Sequence, residues 1–444
     1  MGSAASKFAA NPDTKFDKAA VEAAIGSELY NSHAEKFFKE HADEDGTATG
    51  KKIHEFAHAN GLVKESEGGA AKVEDAGAKE PATADEPSTE DSADATTAPV
   101  YDKALTVEIK YFNDVFAKMP SMAGKTVAIT GCTSGTGFCL AEAVAKKGAG
   151  VVLLNRPSER AQNALAKIKA VATDPNVVTH VDCDLQKFES VRAAGAKLLE
   201  LGVPIDVLVN NAGIMASGDI ATVDGYDVQM QTNHLSHFLL TSLVWPALQK
   251  AASVNGQARV VQHSSGARKM VPKLLSEYLG KNGGNLGGDE PGGNFTGARW
   301  VRYAQTKLAN LGFSLALADK IAAAGPDSAS ANILSLSAHP GLSATQLQVR
   351  NASEDPSMNA TYENLMKRAQ AVEDGTCGIL RAACDTAKDI VAGTMIGPEA
   401  MTGPAIVLPA ADEQARVSPE DREMLWQASI EATGADPEFV TKSM

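Results

Sequence analysis

Cysteine pairs, surplus basic charge and long apolar runs are all scarce in this chain of 444 residues, and each shortage excludes a class of protein. Its five cysteines (Cys132, Cys139, Cys183, Cys377 and Cys384) form no Cys-x-x-Cys, and their odd number leaves one without a mate. That pattern suits a reducing, cytoplasmic compartment rather than a disulfide framework, and no metal site is expected. Acidic residues outnumber basic ones, 55 to 41, for a net charge of −14, which argues against nucleic acid as a partner and against a polybasic membrane patch. No stretch approaches the roughly 18 to 20 apolar residues of a membrane span. The first residues lack the apolar centre of a secretory signal, so none is expected.

The residues present divide the chain into three. Residues 1–64 carry apolar positions at helical spacing over 16–29 and 33–58, so a small helical module is expected there. Residues 65–100 hold Ala, Glu, Asp, Ser, Thr and Pro with almost nothing large and apolar, and read as a disordered acidic linker. Residues 101–444 carry the globular signal. The N-terminal part has three further features. Met1-Gly2-Ser3-Ala4-Ala5-Ser6 fits an acylation signal with Gly2 as acceptor, which would give reversible contact with the cytosolic face of a membrane. His54-Glu55-Phe56-Ala57-His58 has the spacing of a zinc-protease helix, but Lys64 stands where the third ligand belongs. Asp43-Glu44-Asp45-Gly46 resembles part of a calcium loop, but Lys52 occupies its closing position.

From residue 101 onward, strand-length apolar runs alternate with helical stretches, predicting an α/β Rossmann-type doubly wound parallel sheet. A helix is expected over 101–118. Strands are expected at Thr126–Thr130, Gly150–Asn155, 177–182, Val207–Asn210, 259–263, Ile333–Ala338 and 405–408, about seven in all.

The first strand runs into Thr130-Gly131-Cys132-Thr133-Ser134-Gly135-Thr136-Gly137, and a helix is expected to follow over 138–147. Glycines allow a tight turn and close approach of a pyrophosphate, and the helix start supplies free N–H groups and the positive end of its dipole. Gly131, Thr133, Ser134, Gly135 and Gly137 are therefore candidate cofactor contacts. The second strand ends in Asn155-Arg156, without the acid that commonly binds a ribose 2′-hydroxyl. The fork of Arg156 matches phosphate oxygens, so NADP(H) is expected in preference to NAD.

In these motifs the chain resembles the short-chain dehydrogenase/reductase family. The resemblance spans 124–345 and rests on elements in a fixed order. They are the Thr130–Gly137 loop, Asp184-Leu185, Asn210-Asn211-Ala212-Gly213, Asn233, Ser265 in Val-Gln-His-Ser-Ser-Gly, Tyr303-Ala-Gln-Thr-Lys307, and Pro340-Gly341 with Thr345. The resemblance implies that Asp184 lies near the adenine. It also implies cofactor contacts from Leu185, Asn211, Ala212, Gly213, Tyr303, Lys307, Pro340, Gly341 and Thr345. Of the adjacent Ser264 and Ser265, it favours the second. Tyr303 to Asn310 and Leu425 to Ser429 are similar to the retinol-dehydrogenase-like branch. Ser265 and Tyr303 stand 38 positions apart, a longer spacing than many members show. The extra length contains a glycine-rich stretch at 281–293, expected to be a flexible surface insertion on the substrate side.

The chemistry follows from residue types. A tyrosine of pKa about 10 is a poor base near neutrality, and a lysine one helical turn on favours its charged form. Tyr303 is expected to be the general acid/base, with Lys307 lowering its pKa and anchoring the ribose. Ser265 is expected to hydrogen-bond the substrate oxygen. The resemblance implies that Asn233 supports a proton relay. His234, His237, Cys132 and Cys139 read as packing residues. The expected activity is NADP(H)-dependent interconversion of an alcohol and an aldehyde or ketone on a small lipophilic substrate. Two other readings are a protochlorophyllide-reductase-like enzyme and a nucleotide-sensing scaffold tethered through the N-terminal module.

Overall fold

The computed structural model describes residues 107–289, 295–345, 347 and 364–442, with the backbone of 15–16 and 48–49. The chain divides into two units, Met1–Ser92 and Ala93–Met444. In the first, Lys15–Phe16 pairs antiparallel with Ala48–Thr49, so this described backbone is strand where helix was expected. Gly2, the His54 motif, the Asp43 loop, the remaining expected helices and the 65–100 linker lie outside the described residues.

The second unit is built on eight strands. They are β1 (Thr126–Thr130), β2 (Gly150–Asn155), β3 (Val178–Asp182), β4 (Val207–Asn210), β5 (Ala258–His263), β6 (Ile333–Ala338), β7 (Met395–Gly397) and β8 (Ile406–Val407). Their order is β8-β7-β6-β5-β4-β1-β2-β3, parallel throughout except for β8. The core strands are rich in Val, Ile and Leu, and alternate residues serve opposite faces. Ala128, Val152 and Leu154 join one apolar cluster with Phe238, Trp245 and Phe313. Val127, Ile129, Val151 and Leu153 join another with Leu140, Val144, Ile379 and Leu380. The helices covering the sheet include α1 (Phe112–Lys118), α2 (Gly135–Lys146), α3 (Glu159–Val171), α4 (Phe188–Glu200), α5 (Ser236–Leu243), α6 (Trp245–Asn255), α7 (Ala298–Ala324), α8 (Val372–Cys384) and α9 (Pro419–Thr433). Strand order reverses between β1 and β4, and a crevice outside the carboxyl ends of such strands is where this architecture places ligands.

Four details depart from expectation. Strand β7 adds an eighth to the expected seven; at three residues it is too short to register as an apolar run. Strand β3 starts at Val178 because Pro175–Val177 forms a 3₁₀ turn. Helix α1 starts at Phe112, not 101. The Asp374 carboxylate on α8 accepts hydrogen bonds from the backbone N–H groups of Lys110, Tyr111 and Phe112 and fixes that start. The 281–289 part of the glycine-rich insertion is ordered rather than loose. The buried Asp219 carboxylate accepts from the N–H groups of Gly284, Leu286 and Gly288 at 3.0, 2.7 and 2.9 Å. Arg302 on α7 donates to the carbonyls of Leu286 and Gly288, each at 2.9 Å, and to Ser217 at 3.2 Å.

Candidate active site

The turn after β1 needs its glycines for two separate reasons. Gly131 and Gly135 adopt φ of +72° and +62°, the left-handed region that side chains avoid. Gly137 is required by space: a Cβ there would lie 2.3 Å from both the Asn211 amide nitrogen and the Gly131 carbonyl oxygen. The carboxamide of Asn211 fills that space. It donates to the carbonyls of Thr130 and Gly131 at 2.9 and 3.1 Å, and its oxygen accepts from Thr136 at 3.1 Å. Asn155 steadies the same turn from β2, its side-chain oxygen accepting from the Cys132 N–H at 2.6 Å. Thr133 and Ser134 border a surface cleft of about 260 Å³ that also takes in Phe138, Arg160 and Lys167. The Arg160 guanidinium reaches 3.5 Å from the Ser134 hydroxyl. Arg156 is exposed at the end of β2. Thr345 comes against this loop: a Cβ at Gly135 would lie 3.7 Å from its methyl group.

Behind the loop, one hydrogen-bonded chain connects β1, β4 and the start of α5. The Thr130 hydroxyl oxygen accepts from the N–H groups of Asn211 and Ala212, both at 3.0 Å. It lies 2.9 Å from His237 Nε2, while His237 Nδ1 lies 3.0 Å from the Asn233 carbonyl oxygen. A carbonyl oxygen can only accept, so Nδ1 carries the proton and Nε2 receives the threonine hydroxyl proton. Burial, with Lys307 nearby, pushes the His237 pKa down to about 4, which keeps the ring neutral. His237 is therefore a link in this chain as well as the packing residue that was expected. Its signal in the sequence is its place one helical turn beyond Asn233.

Asn233 lies in a π-turn, Gln231–Leu235, leading into α5. Its side chain accepts from the Ile214 N–H at 2.8 Å and donates to the Ile214 carbonyl and the Thr306 hydroxyl, each at 2.9 Å. It thus clamps the loop after β4 to α7, the helix that carries Tyr303 and Lys307. Gly213 lies beneath, where a Cβ would meet Asn233 Oδ1 at 3.1 Å and Lys307 Nζ at 3.3 Å.

The two serines after β5 are distinguished by their contacts. Ser264 is buried and donates its hydroxyl to the Lys307 backbone carbonyl at 2.7 Å. Ser265 is half-buried; its hydroxyl accepts from the Ala267 N–H at 3.2 Å and is close enough to the Tyr303 phenol to favour the charged form of the phenol. The Ser265 carbonyl accepts from Arg268 Nη1 at 2.9 Å, and Arg268 is held in turn by a buried two-pronged pair with Glu413, at 2.8 and 2.6 Å. The Lys307 ammonium donates to the His263 carbonyl at 3.0 Å and lies 5.7 Å from the centre of the Tyr303 ring. Burial holds the Tyr303 phenol up at about 12, partly offset by Ser265, and pushes Lys307 down to about 8. The expected lowering of the tyrosine by the lysine is thus overturned in direction. Burial is the dominant cause, and the Ser265 hydroxyl is what opposes it.

The remaining candidates frame the crevice. Asp184 follows β3 and accepts from the Gln186 N–H at 3.0 Å, while the Leu185 carbonyl accepts from Ser236 at 2.6 Å. The Pro340 carbonyl accepts from Ser343 and Gln370 at 2.9 and 2.8 Å. Gly341 takes φ +63° where a Cβ would meet the Met401 carbonyl at 2.5 Å. Asn155, Arg160, Arg268 and Thr306 were missed in the sequence. Only Arg160 left a trace there, as a second arginine one helical turn after Arg156.

Known proteins resemble the chain over the same region. A family model for short chain dehydrogenases matches residues 125–281. An uncharacterized oxidoreductase of Schizosaccharomyces pombe is 34% identical over 238 residues, which are 53% of this chain and 64% of that protein. A short-chain dehydrogenase/reductase of Aspergillus calidoustus is 32% identical over 238 residues, 53% of this chain and 72% of the relative. Among solved structures, an uncharacterized protein from Mycobacterium paratuberculosis superposes with a TM-score of 0.53 at 30% identity, covering 72% of this chain and 97% of that one.

Proposed function

The chain belongs to the short-chain dehydrogenase/reductase family of oxidoreductases, and from that premise we propose that it interconverts an alcohol and a carbonyl on a lipophilic substrate with NADP(H) as cofactor. The observation that carries this reading is the meeting of Ser265, Tyr303 and Lys307 beside the glycine turn of β1. The cradle fits a dinucleotide. Gly131, Gly135 and Gly137 leave backbone where side chains would intrude, and the start of α2 offers N–H groups to a pyrophosphate. Arg156 and Arg160 flank the adenosine side and supply cations for a 2′-phosphate.

When bound, the nicotinamide supplies or takes up the hydride at the substrate carbon. The residues of this chain manage the oxygen and its proton. The Ser265 hydroxyl donates to the substrate oxygen, stabilising charge that develops there. Tyr303, a phenol already protonated at neutral pH and held more firmly so by burial, donates its proton to that oxygen in carbonyl reduction and receives one in alcohol oxidation. Lys307 stays largely cationic at neutral pH and faces the same crevice, where it can hold a ribose hydroxyl and favour the tyrosinate. Asn233 and His237 act at a distance, fixing α7 against the β4 loop and that loop against β1. Met215 and Ala216 beside Tyr303 give the substrate side an apolar surface.

Replacing Tyr303 with phenylalanine removes the proton donor and keeps the ring. The expected outcome is a loss of NADPH-dependent carbonyl turnover of about 100-fold or more, with NADPH affinity nearly unchanged. Turnover equal to that of the parent enzyme would reject the assignment.

A further inference from the structure

Helix α7 begins at Ala298, so Trp300 precedes Tyr303 by three residues and lies on the same helical face. The two rings meet edge to face, with centroids 5.9 Å apart and planes at 86°. A second ring backs the first: Phe295 meets Trp300 at 4.8 Å and 86°. Both geometries are the favourable edge-to-face arrangement of aromatic quadrupoles. Met215, Ala216, Ala267 and Leu347 complete the apolar cluster around Tyr303 and Trp300.

Two observations say that this wall is set in place before any ligand arrives. Ala216 and Phe295 are the two non-glycine residues with positive φ, +47° and +64°, among the described residues. Both lie in this cluster or against it. Such conformations persist only where surrounding contacts over-determine them, and they concentrate at ligand sites. Arg302 lies between Trp300 and Tyr303 in their helix. It is buried and holds the Ser217 carbonyl beyond Ala216 and the insertion carbonyls of Leu286 and Gly288. One side chain thus holds the residue after Ala216 and the 286–288 part of the insertion. Trp300 itself is half-buried, whereas Trp245 and Trp426 are enclosed in the core. A partly open aromatic face beside the proposed proton donor suits a flat, apolar group.

We infer that Trp300, seated by Phe295, is the specificity-determining residue of this site. It selects carbonyl and alcohol substrates whose reacting carbon is attached directly to a flat, unsaturated ring. The inference rests on the oxidoreductase reading above and adds to it a substrate class and the residue that reads it. Ring-bearing substrates gain an edge or face contact with Trp300, and short aliphatic ones gain little.

The full-length protein is assayed by NADPH oxidation with 2-naphthaldehyde and with propanal, and kcat/KM is compared in the parent, Trp300→Ala and Trp300→Phe. The parent is expected to favour the ring-bearing aldehyde. Trp300→Ala should lower the naphthaldehyde-to-propanal ratio by about tenfold or more, the scale on which apolar pockets discriminate. Trp300→Phe should restore most of the ratio. A ratio unmoved by Trp300→Ala, or an equal loss on both aldehydes, overturns the assignment, since a merely structural role would lower both together. Calorimetric binding of 2-naphthol, which needs no turnover, separates the two levels. If no aldehyde is reduced by any form, the oxidoreductase reading falls. The Trp300 subsite then stands on a roughly tenfold weaker naphthol affinity in Trp300→Ala, and falls with it if the affinities are equal.

Discussion

At the scale of single residues, the assignment most open to measurement is Arg156. It directly follows Asn155, whose side chain is committed to the Cys132 N–H, so the strand end that presents the arginine is rigid. The strand end is held in register as well, because Asn155 pairs with Asp182 of β3. The acid that would favour an unphosphorylated ribose is missing at this strand end, and Arg160 and the Ser134 hydroxyl stand nearby on the α2–α3 side. A guanidinium hydrogen-bonded to phosphate contributes about 1.5 to 3 kcal/mol, a factor of roughly 10 to 100 in affinity. Arg156→Ala is therefore expected to weaken NADPH by at least about tenfold and NADH by far less, as read by titration of each cofactor. An unchanged NADPH-to-NADH ratio would remove the basis for the cofactor preference.

At the scale of elements, the insertion between Ser265 and Tyr303 behaves as a part of the site. Its backbone wraps one carboxylate, Asp219, and one guanidinium, Arg302, which lie 3.6 Å apart and are both shut off from solvent. Arg302 also faces Asp227 at 3.5 Å and Asp289 at 3.2 Å, so removing Asp219 leaves the guanidinium paired, and the loss falls on the hydrogen bonds that hold the insertion. Three insertion N–H groups lose their acceptor at the same time. Asp219→Ala should therefore lower the urea midpoint and open residues 281–289 to limited proteolysis, and cofactor should restore little of that protection. A digestion pattern matching the parent's would mean that the insertion is held by other contacts.

That same pair marks the limit of what the sequence discloses. The glycine turn is legible because its demands are local: Gly131 and Gly135 need positive φ, Gly137 needs bare space, and strand and helix flank them. The Tyr303–Lys307 spacing is legible for the same reason, since one helical turn brings the two side chains to one face. The insertion reads as a flexible surface loop because its ordering group lies 65 positions upstream of Gly284. Helix α1 is misjudged in the same way, its start being capped by a carboxylate 262 positions away from Phe112. The direction of the Tyr303 shift was missed because it depends on burial. The one-turn spacing brings the lysine near but carries no measure of how far both groups are withdrawn from water. Local demands are written in neighbouring residue types, whereas long-range pairings and desolvation appear only once the chain has closed.

At the scale of the whole molecule, the buried histidines govern how stability responds to acid. Burial pushes His234 and His263 down to about 3 and His237 to about 4, and it holds His339 well below the usual range. In the unfolded chain each returns to about 6.5. Between pH 6.5 and about 4 the unfolded state therefore binds protons that the folded state refuses. Stability then rises with pH across that window and is lost as pH falls through it, by about 1.4 kcal/mol per pH unit for each such histidine. Asp227 acts the other way. Burial raises it to about 6, opposed by Arg302, so the folded state gains a proton there first and recovers stability as pH falls below 6. Burial also raises Asp206, so two carboxyls oppose four imidazoles; the histidines prevail and the protein should destabilise from pH 6.5 toward 5. Urea midpoints measured at half-unit steps from pH 7.5 to 4.5 test this, with His237→Gln as comparison. The variant should be weaker at neutral pH, because the chain from Thr130 to Asn233 is broken, yet its midpoint should fall less steeply with acid. A parent midpoint that held level through the window would mean that these rings take up protons in the folded state. The neutral His237 tautomer that links β1 to the start of α5 would then be wrong.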